Sequence, residues 1–212
     1  MFFTNIDLEA LFRLVIFILA GFVTPGPNTM IALASGVNFG LRRTIPHIGG
    51  VMVGTTLVFL AVGFGLAGLL QTYPSLRIII ETVGLAYLFY LCWRIANAAG
   101  AFGEAAGKPF TMLQSLFLQA VNVKLMGVAA GVYLTYRVSE EATFNLIAIA
   151  MVAMLINLPV NIAWCVFGTH MRAFLESPRR RRVFNIALAL IMAASLAPAA
   201  WALWQKLAGH GS

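Results

Sequence analysis

The sequence carries very little charge. Only 10% of its 212 residues are Asp, Glu, Lys or Arg, whereas soluble domains carry roughly 25%. Hydrophobic residues make up 61% of the chain, and the mean hydropathy is +0.90. These values exclude an ordinary soluble domain and predict an integral membrane protein in a lipid bilayer.

Cysteine and the motifs of hydrolytic enzymes are also scarce. The two cysteines, Cys92 and Cys165, lie in separate apolar segments without a CxxC motif or a nearby histidine. This spacing predicts buried hydrophobic roles and indicates no disulfide framework, metal site or cofactor. The sequence contains no HExxH, GxSxG or phosphate-binding loop, so we expect no enzyme.

The N-terminus lacks the basic region of a cleaved signal peptide. Asp7 and Glu9 precede the first apolar run, and the first basic residue is Arg13. Although the sequence pI is about 10.0, the basic residues fall in short loops between apolar segments. That distribution is typical of topology-setting charge and does not indicate a nucleic-acid partner.

Six apolar segments are long enough to cross a bilayer. The predicted spans are 8–36, 46–70, 76–98, 111–136, 143–168 and 184–204. The connections from odd to even spans hold nine Lys and Arg residues, and the opposite side holds four. The excess predicts that these connections face the cytoplasm and that both termini face outward.

The first span is interrupted near its middle by Thr24-Pro25-Gly26-Pro27-Asn28. Each proline removes a backbone N–H group, and a broken helix in hydrocarbon must line a cavity or be covered by protein. The fourth span is polar at Asn122-Val123-Lys124, about 96 residues later. The spacing predicts two inverted three-helix repeats, 1–105 and 106–212, within a single transmembrane domain with broken first and fourth helices.

Lys124 is the costliest residue to place in the membrane. A lysine at a helix centre costs about 2.5–3.5 kcal/mol to insert, and the sequence offers no carboxylate within one turn of it. We interpret Lys124 as a cation that faces a cavity and binds a substrate carboxylate. The alternative is a side chain that extends to the headgroups.

Four asparagines add polar groups within the spans. Asn28 and Asn122 stand beside the two breaks, where their amides could bind a zwitterion or cap freed backbone groups. Asn157 and Asn161 are four residues apart on the fifth span, with Pro159 between them. This shared face indicates either the same cavity or hydrogen bonds between helices.

Two titratable residues are candidates for proton coupling. Glu81 is the one acid clearly inside a predicted span, and its alternative role is an ion pair with Arg77. His47 lies at the cytoplasmic start of the second span and titrates in the appropriate range, but we interpret it as an incidental loop residue. The motifs Gly50–Gly54 and Gly127–Gly131 predict close helix packing only.

The motifs taken together resemble those of the LysE/RhtB family of amino-acid exporters. The resemblance rests on the 24–28 element, Gly40-Leu41-Arg42-Arg43, Gly49-Gly50 with Gly54, the segment 84–91, Pro109-Phe110, and Asn122 with Lys124. It implies efflux of amino acids from the bacterial cytoplasm in exchange for protons, with signature residues Pro25, Gly26, Pro27, Asn28, Asn122 and Lys124.

One position departs from the family pattern. The family usually has Asn-Pro-Lys on the fourth span, whereas Val123 stands at the proline position here. A proline would remove a backbone donor and force a kink. Its replacement predicts a milder second break, a polar turn rather than an interrupted helix.

The sequence therefore predicts a six-span secondary exporter of amino acids or similar zwitterions in the bacterial inner membrane, working by proton-coupled alternating access. Its expected partners are an amino-acid-like small molecule, protons and the lipid bilayer, and a homo-oligomer stays open. The alternatives are a small-ion exporter on the same scaffold and a membrane accessory subunit that transports nothing.

Overall fold

The computed structural model describes residues 7–97 and 108–209, and every regular element in these ranges is a helix. A π-helical turn, Val62–Leu66, joins α2 to α3, and a 3-10 turn, Arg172–Leu175, joins α7 to α8. The helices are α1 (Leu8–Val23), α2 (Pro27–Ala61), α3 (Ala67–Thr72), α4 (Pro74–Asn97), α5 (Met112–Ala120), α6 (Val123–Thr135), α7 (Ala142–Met171) and α8 (Pro178–Gly209).

Several of these helices are long and apolar enough to cross a membrane. Within the described residues there are four such helical stretches: Pro27–Leu66, Pro74–Asn97, Ala142–Leu175 and Pro178–Ala208. The bent pair α5 and α6 supplies a fifth if it counts as one span. The predicted all-α membrane architecture is thereby confirmed, with four or five spans by length and composition.

The helix α2 reverses its direction at Gly40. Gly40 has φ 77° and ψ 171°, a region that only glycine adopts readily. The hydroxyls of Ser35 and Thr44 lie 2.7 Å apart, whereas a straight helix would separate these residues by about 13 Å. The helix therefore consists of a first arm, residues 27–39, and a second arm, residues 41–61.

The break between α1 and α2 satisfies part of its own backbone. Pro25 cannot donate to the carbonyl of Gly21, but the Thr24 hydroxyl lies 2.5 Å from the carbonyl oxygen of Ala20 and 3.0 Å from that of Gly21, and its hydrogen is shared between them. On the α2 side, the amide of Gly26 donates to the Thr29 hydroxyl at 2.9 Å. Threonine side chains thus stabilise both ends of the interruption.

The second break corrects the expectation of a mild polar turn. Helices α5 and α6 meet at an angle of 58° across Val121 and Asn122, so the helix is interrupted without a proline. The reason is a side-chain cap: Asn122 has extended backbone angles, and its Oδ1 accepts from the amide of Leu125 at 3.2 Å. A capping asparagine starts a new helix, and Val123 occupies its first turn.

Glycines allow the two arms of α2 to pack closely on neighbouring helices. A Cβ atom on Gly36 would collide with the carbonyl oxygen of Cys165, and one on Gly50 would collide with that of Met112. The packing role predicted for Gly50 and Gly54 is confirmed, because a Cβ on Gly54 would also overlap the Gln119 side chain. In contrast, no described atom lies within 4 Å of a Cβ built on Gly127.

The remaining helices pack around this centre. Helix α4 lies along α8, and both contribute to a buried cluster that includes Leu88 and Met192. The sixth span is longer than predicted, because α8 begins at Pro178 and includes all four arginines 179–182. The hydropathy of the sequence predicted only the apolar central part of α8. Cys92 and Cys165 are buried free thiols, as predicted.

Candidate functional site

A small cavity lies where the two helix breaks meet. Its volume is about 30 Å³, enough for on the order of one or two water molecules. Residues from both breaks and from α7 line it: Gly21, Phe22, Thr24, Gly26, Pro27, Asn28, Thr29, Asn122, Lys124, Leu125, Val128 and Asn157. The cavity therefore joins segments that are about 100 residues apart in the chain.

Lys124 extends across this cavity from the first turn of α6. Its Nζ donates to the carbonyl oxygen of Thr24 at 3.1 Å. The side chain passes directly over Gly26, where an added Cβ would lie 3.0 Å from Nζ and 3.4 Å from Cδ. Glycine at position 26 is thus what leaves room for the lysine beside the first break.

The N-termini of two helices also border the cavity. Helix α2 begins at Pro27, and Asn28 and Thr29 in its first turn line the site. Helix α6 begins beside Asn122 and carries Lys124 in its first turn. Helix N-termini carry partial positive charge, so the ammonium group and both helix ends make the site attractive to an anionic group.

Asn28 is held in place by a residue of the other half of the chain. Its Nδ2 donates to Oε1 of Gln119 at 2.8 Å, and Nε2 of Gln119 donates back to Oδ1 of Asn28 at 2.9 Å. Gln119 is fully buried at the end of α5. This reciprocal pair of amides links the first break to the second.

The asparagines of the fifth span have different positions. Asn157 lines the cavity and donates to the Thr55 hydroxyl at 2.8 Å. Asn161 is fully buried and donates to Oδ1 of Asn157 at 2.6 Å. Asn161 therefore supports Asn157 from behind, and the pair combines both interpretations left open by the sequence.

The structure brings most of the predicted site residues together. Gly26, Pro27, Asn28, Asn122, Lys124 and Asn157 line one cavity, whereas Pro25 and Asn161 lie outside its lining. Sequence reasoning missed Thr24, Thr29 and Gln119. A usable signal existed for Thr29, because a threonine three residues after Gly26 fits a helix N-terminal cap, but the position of Gln119 depends on how α5 packs.

Glu81 lies in a separate cluster of charges. Its Oε1 accepts from Nε of Arg77 at 2.8 Å, and Nζ of Lys206 lies 2.6 Å from its Oε2. The ion pair with Arg77 named as the alternative is therefore present, with a second cation from α8. This cluster borders a different cavity of about 190 Å³, which Val123 and Met126 also line.

His47 is also placed differently from the expectation of an incidental loop residue. It lies within α2, fully buried, with its Nδ1 atom 2.7 Å from the hydroxyl oxygen of Ser115. No group of three or more His, Cys, Asp or Glu side chains that could bind a metal occurs in ranges 7–97 and 108–209. The chemistry available at the breaks is reversible binding by hydrogen bonds and charge.

The helices are apolar and long enough to cross a membrane, and two helix breaks meet at one cavity that the ammonium group of Lys124 lines. These features are typical of a multi-spanning membrane transporter. The family model of the LysE type translocator matches residues 19–199. The chain belongs to this family of translocators, so it is a transporter and not an enzyme, and the resemblance noted in the sequence is confirmed.

Curated relatives support the same assignment. The chain is similar to the cysteine/O-acetylserine efflux protein of Salmonella typhimurium, with 31% identity over 175 residues, 80% of this chain and 87% of that protein. It is 31% identical to the protein of that name from Klebsiella pneumoniae over 148 residues, 69% of this chain and 75% of the other. The Escherichia coli K12 protein is 27% identical over 175 residues, with coverage of 80% and 87%. No solved structure matches the chain significantly.

Proposed function

We propose that the protein exports small neutral amino acids or related zwitterions through the cavity at the two helix breaks. The single observation that supports this most directly is the meeting of Lys124 with the N-termini of α2 and α6. A lysine ammonium beside two helix N-termini favours a carboxylate. A cationic substrate would be repelled by Lys124.

In the proposed complex, the substrate takes over contacts that the protein now makes with itself. The substrate ammonium replaces Nζ of Lys124 at the Thr24 carbonyl, and Lys124 turns to the substrate carboxylate. The backbone amides of Asn28 and Thr29 in the first turn of α2 complete the carboxylate site. Asn122 and Asn157 supply amide groups on the other wall.

The relatives point to a substrate class. Proteins named cysteine/O-acetylserine efflux proteins share about a third of their residues with this chain across most of its length. Both compounds are small uncharged-side-chain amino acids in the zwitterionic form. We propose that this chain exports substrates of that class, which suits a site with one cation and several amides.

Transport requires the cavity to enlarge. A volume of about 30 Å³ does not admit an amino acid, so substrate entry needs the helices around the breaks to separate. We propose alternating access in which two three-span units rock against one another. In this scheme α1 and the first arm of α2 form one broken span, and the second arm forms the next, giving six spans in all.

The packing supports an inverted repeat. The first broken span lies along α7, with α1 near Ala150 and the first arm near Cys165. The second broken span lies along the second arm, with α5 at Gly50 and α6 near Gly63. If the first three spans are exchanged for the last three, the contact of the first broken span with α7 becomes the contact of the second broken span with the second arm. The same exchange leaves the pair of α4 and α8 unchanged.

We further propose that protons drive the cycle, that the protein lies in the bacterial inner membrane, and that both termini face outward. The charge bias of the loops supports that orientation. The two alternatives, a small-ion exporter on the same scaffold and an accessory subunit, both predict no amino-acid flux.

A substrate panel tests the proposal. Cells lacking their own exporters are loaded with dipeptides of serine, cysteine, alanine, leucine or lysine, and the released amino acids are measured with and without the protein. We expect faster release of serine or cysteine and no change for lysine. Equal release of every amino acid with and without the protein would reject amino-acid export.

A further inference from the structure

His47 is a buried titratable residue that the proposed binding step does not use. It has no exposed surface and lies on the second arm of α2, against α5 and the preceding Phe110, whose ring centre is 5.7 Å from that of the imidazole. Its second ring nitrogen, Nε2, is buried and has no hydrogen-bond partner among the described residues. A buried polar atom without a partner is uncommon in folded proteins and calls for an explanation.

The hydrogen bonds around Ser115 define which nitrogen carries the proton. The Ser115 hydroxyl donates its one hydrogen to the carbonyl oxygen of Thr111 at 2.9 Å. With that hydrogen on the Thr111 oxygen, Nδ1–H donates to the Ser115 oxygen across the 2.7 Å contact, and this is the tautomer that we assign to His47. Nε2 is therefore the atom with a lone pair that can accept a proton.

A chain of contacts along α5 joins His47 to the substrate cavity. The side chain of Gln119 donates to the Ser115 carbonyl oxygen at 3.3 Å and pairs reciprocally with Asn28. One face of α5 thus touches His47 at Ser115 and the cavity at Gln119. A movement of α5 away from His47 also moves the residue that holds Asn28.

The charged and titratable groups on the neighbouring elements are few. Helix α5 carries none, α7 carries Cys165 and His170, and α8 carries arginines 179–182 and Lys206, of which Arg181 is buried. Helix α4 brings Arg94, whose guanidinium carbon lies 5.1 Å from the ring centre of Phe110. The one carboxylate of α4 is that of Glu81, and its two oxygens accept hydrogen bonds from Arg77 and Lys206.

We propose that His47 carries the proton that is exchanged for substrate, an inference that rests on the proposed export function. A proton from water binds the Nε2 lone pair, which gives an imidazolium that must donate from both nitrogens. The conformation described here offers no acceptor at Nε2, so protonation requires water to enter between α2 and α5. Separation of these helices releases Asn28 through Gln119, so that proton and substrate bind alternately.

The test uses the full protein in liposomes with L-cysteine, kept reduced, and O-acetylserine as probes. Two rates are measured: transport driven by a pH difference, and exchange of labelled for unlabelled amino acid at equal pH. The variant His47→Asn retains a donor near Nδ1 but cannot titrate. We expect exchange within about twofold of the parent and loss of the pH-driven component. His170→Asn, an exposed histidine of α7, is the matched control and should retain both.

Unchanged pH-driven transport in His47→Asn overturns the assignment, and so does loss of both rates at normal yield and thermal stability. If His47→Asn does not fold, Ser115→Ala replaces it: the imidazole stays, the link to α5 is cut, and the pH response should fall while exchange persists. A pH response equal to that of the parent in Ser115→Ala also overturns it. A parent that exchanges amino acids without responding to pH rejects the role of His47 alone, whereas a parent that exchanges none rejects the export function.

Discussion

At the scale of single residues, the site depends on polar groups that satisfy one another. Asn28 and Gln119 form two hydrogen bonds in a mostly apolar surrounding, and Nε2 of Gln119 also donates to the Ser115 carbonyl oxygen at 3.3 Å. This pairing fixes the orientation of the Asn28 amide at the cavity. The pair is consequently a source of both stability and orientation.

Removal of one amide should cost more than removal of both. Asn28→Ala leaves the buried Oε1 of Gln119 without a donor, because the Ser115 carbonyl serves only its Nε2, and we expect this to lower stability by about 1–3 kcal/mol. The double variant Asn28→Ala/Gln119→Leu should recover part of that loss, because two apolar groups leave nothing unpaired. Thermal unfolding of the detergent-solubilised protein measures both changes. Gln205→Ala, on the exposed face of α8, is the control, and additive losses in the double variant would contradict the pairing.

The sequence was informative about which residues are unusual and less so about their partners. Lys124 and the 24–28 element could be identified because a charge or a double proline inside an apolar segment has few structural explanations. Gln119 and Thr55 could not, since their roles depend on which helices become neighbours. His47 was misjudged for the same reason: its burial follows from the contact with α5.

At the scale of helices, glycine decides how closely the broken segments approach their supports. Gly50 faces the backbone of α5 directly, whereas Gly127 faces open space. The two glycines occupy similar motifs in the sequence. Only Gly50 determines how closely two helices, α2 and α5, approach one another.

The pair gives a matched comparison. Gly50→Ala should destabilise the protein, because the overpacking cost of about 1–3 kcal/mol exceeds the gain of about 1 kcal/mol in helix propensity. Gly127→Ala should be neutral or stabilising, since only the propensity gain applies. Melting temperatures of the two purified variants measure the difference. Equal effects of both substitutions would show that α2 and α5 do not meet at Gly50.

Outside α2, the ends of the helices were predicted from hydropathy within a few residues, apart from α8. The exception has a physical cause, because the arginines that begin α8 are polar but still helical. The second helix break shows that the absence of proline does not predict a continuous helix. The absence of proline suggested a mild turn, but a capping asparagine interrupts the helix by itself.

At the scale of the whole molecule, the number of crossings follows from how α2 is counted. A reversal at Gly40 separates its two arms, and in the proposed six-span arrangement α1 and the first arm together form one span. The inverted-repeat arrangement would place both breaks at the same depth. Hydropathy predicted the apolar segments, while the pairing of the two breaks requires the fold.

The location of the termini distinguishes the counts. Six crossings place both termini on the outer face, whereas five would place them on opposite faces. Short epitope tags at the two ends, labelled with antibody in intact and in permeabilised cells, report this. We expect labelling of both tags in intact cells, and a tag that needs permeabilisation at one end only would contradict six crossings.

The measurement that tests the central claim most directly is amino-acid efflux by Lys124→Gln. In the proposed complex the substrate carboxylate and the Lys124 ammonium bury one another, and loss of such a charge contact should cost about 2–5 kcal/mol, where 1.4 kcal/mol corresponds to tenfold. We therefore predict at least a tenfold fall in serine or cysteine release at an unchanged membrane level. Lys108→Gln, an exposed lysine before α5, should release substrate at the parental rate. Parental efflux by Lys124→Gln would contradict the assignment of the cavity at the helix breaks as the substrate site.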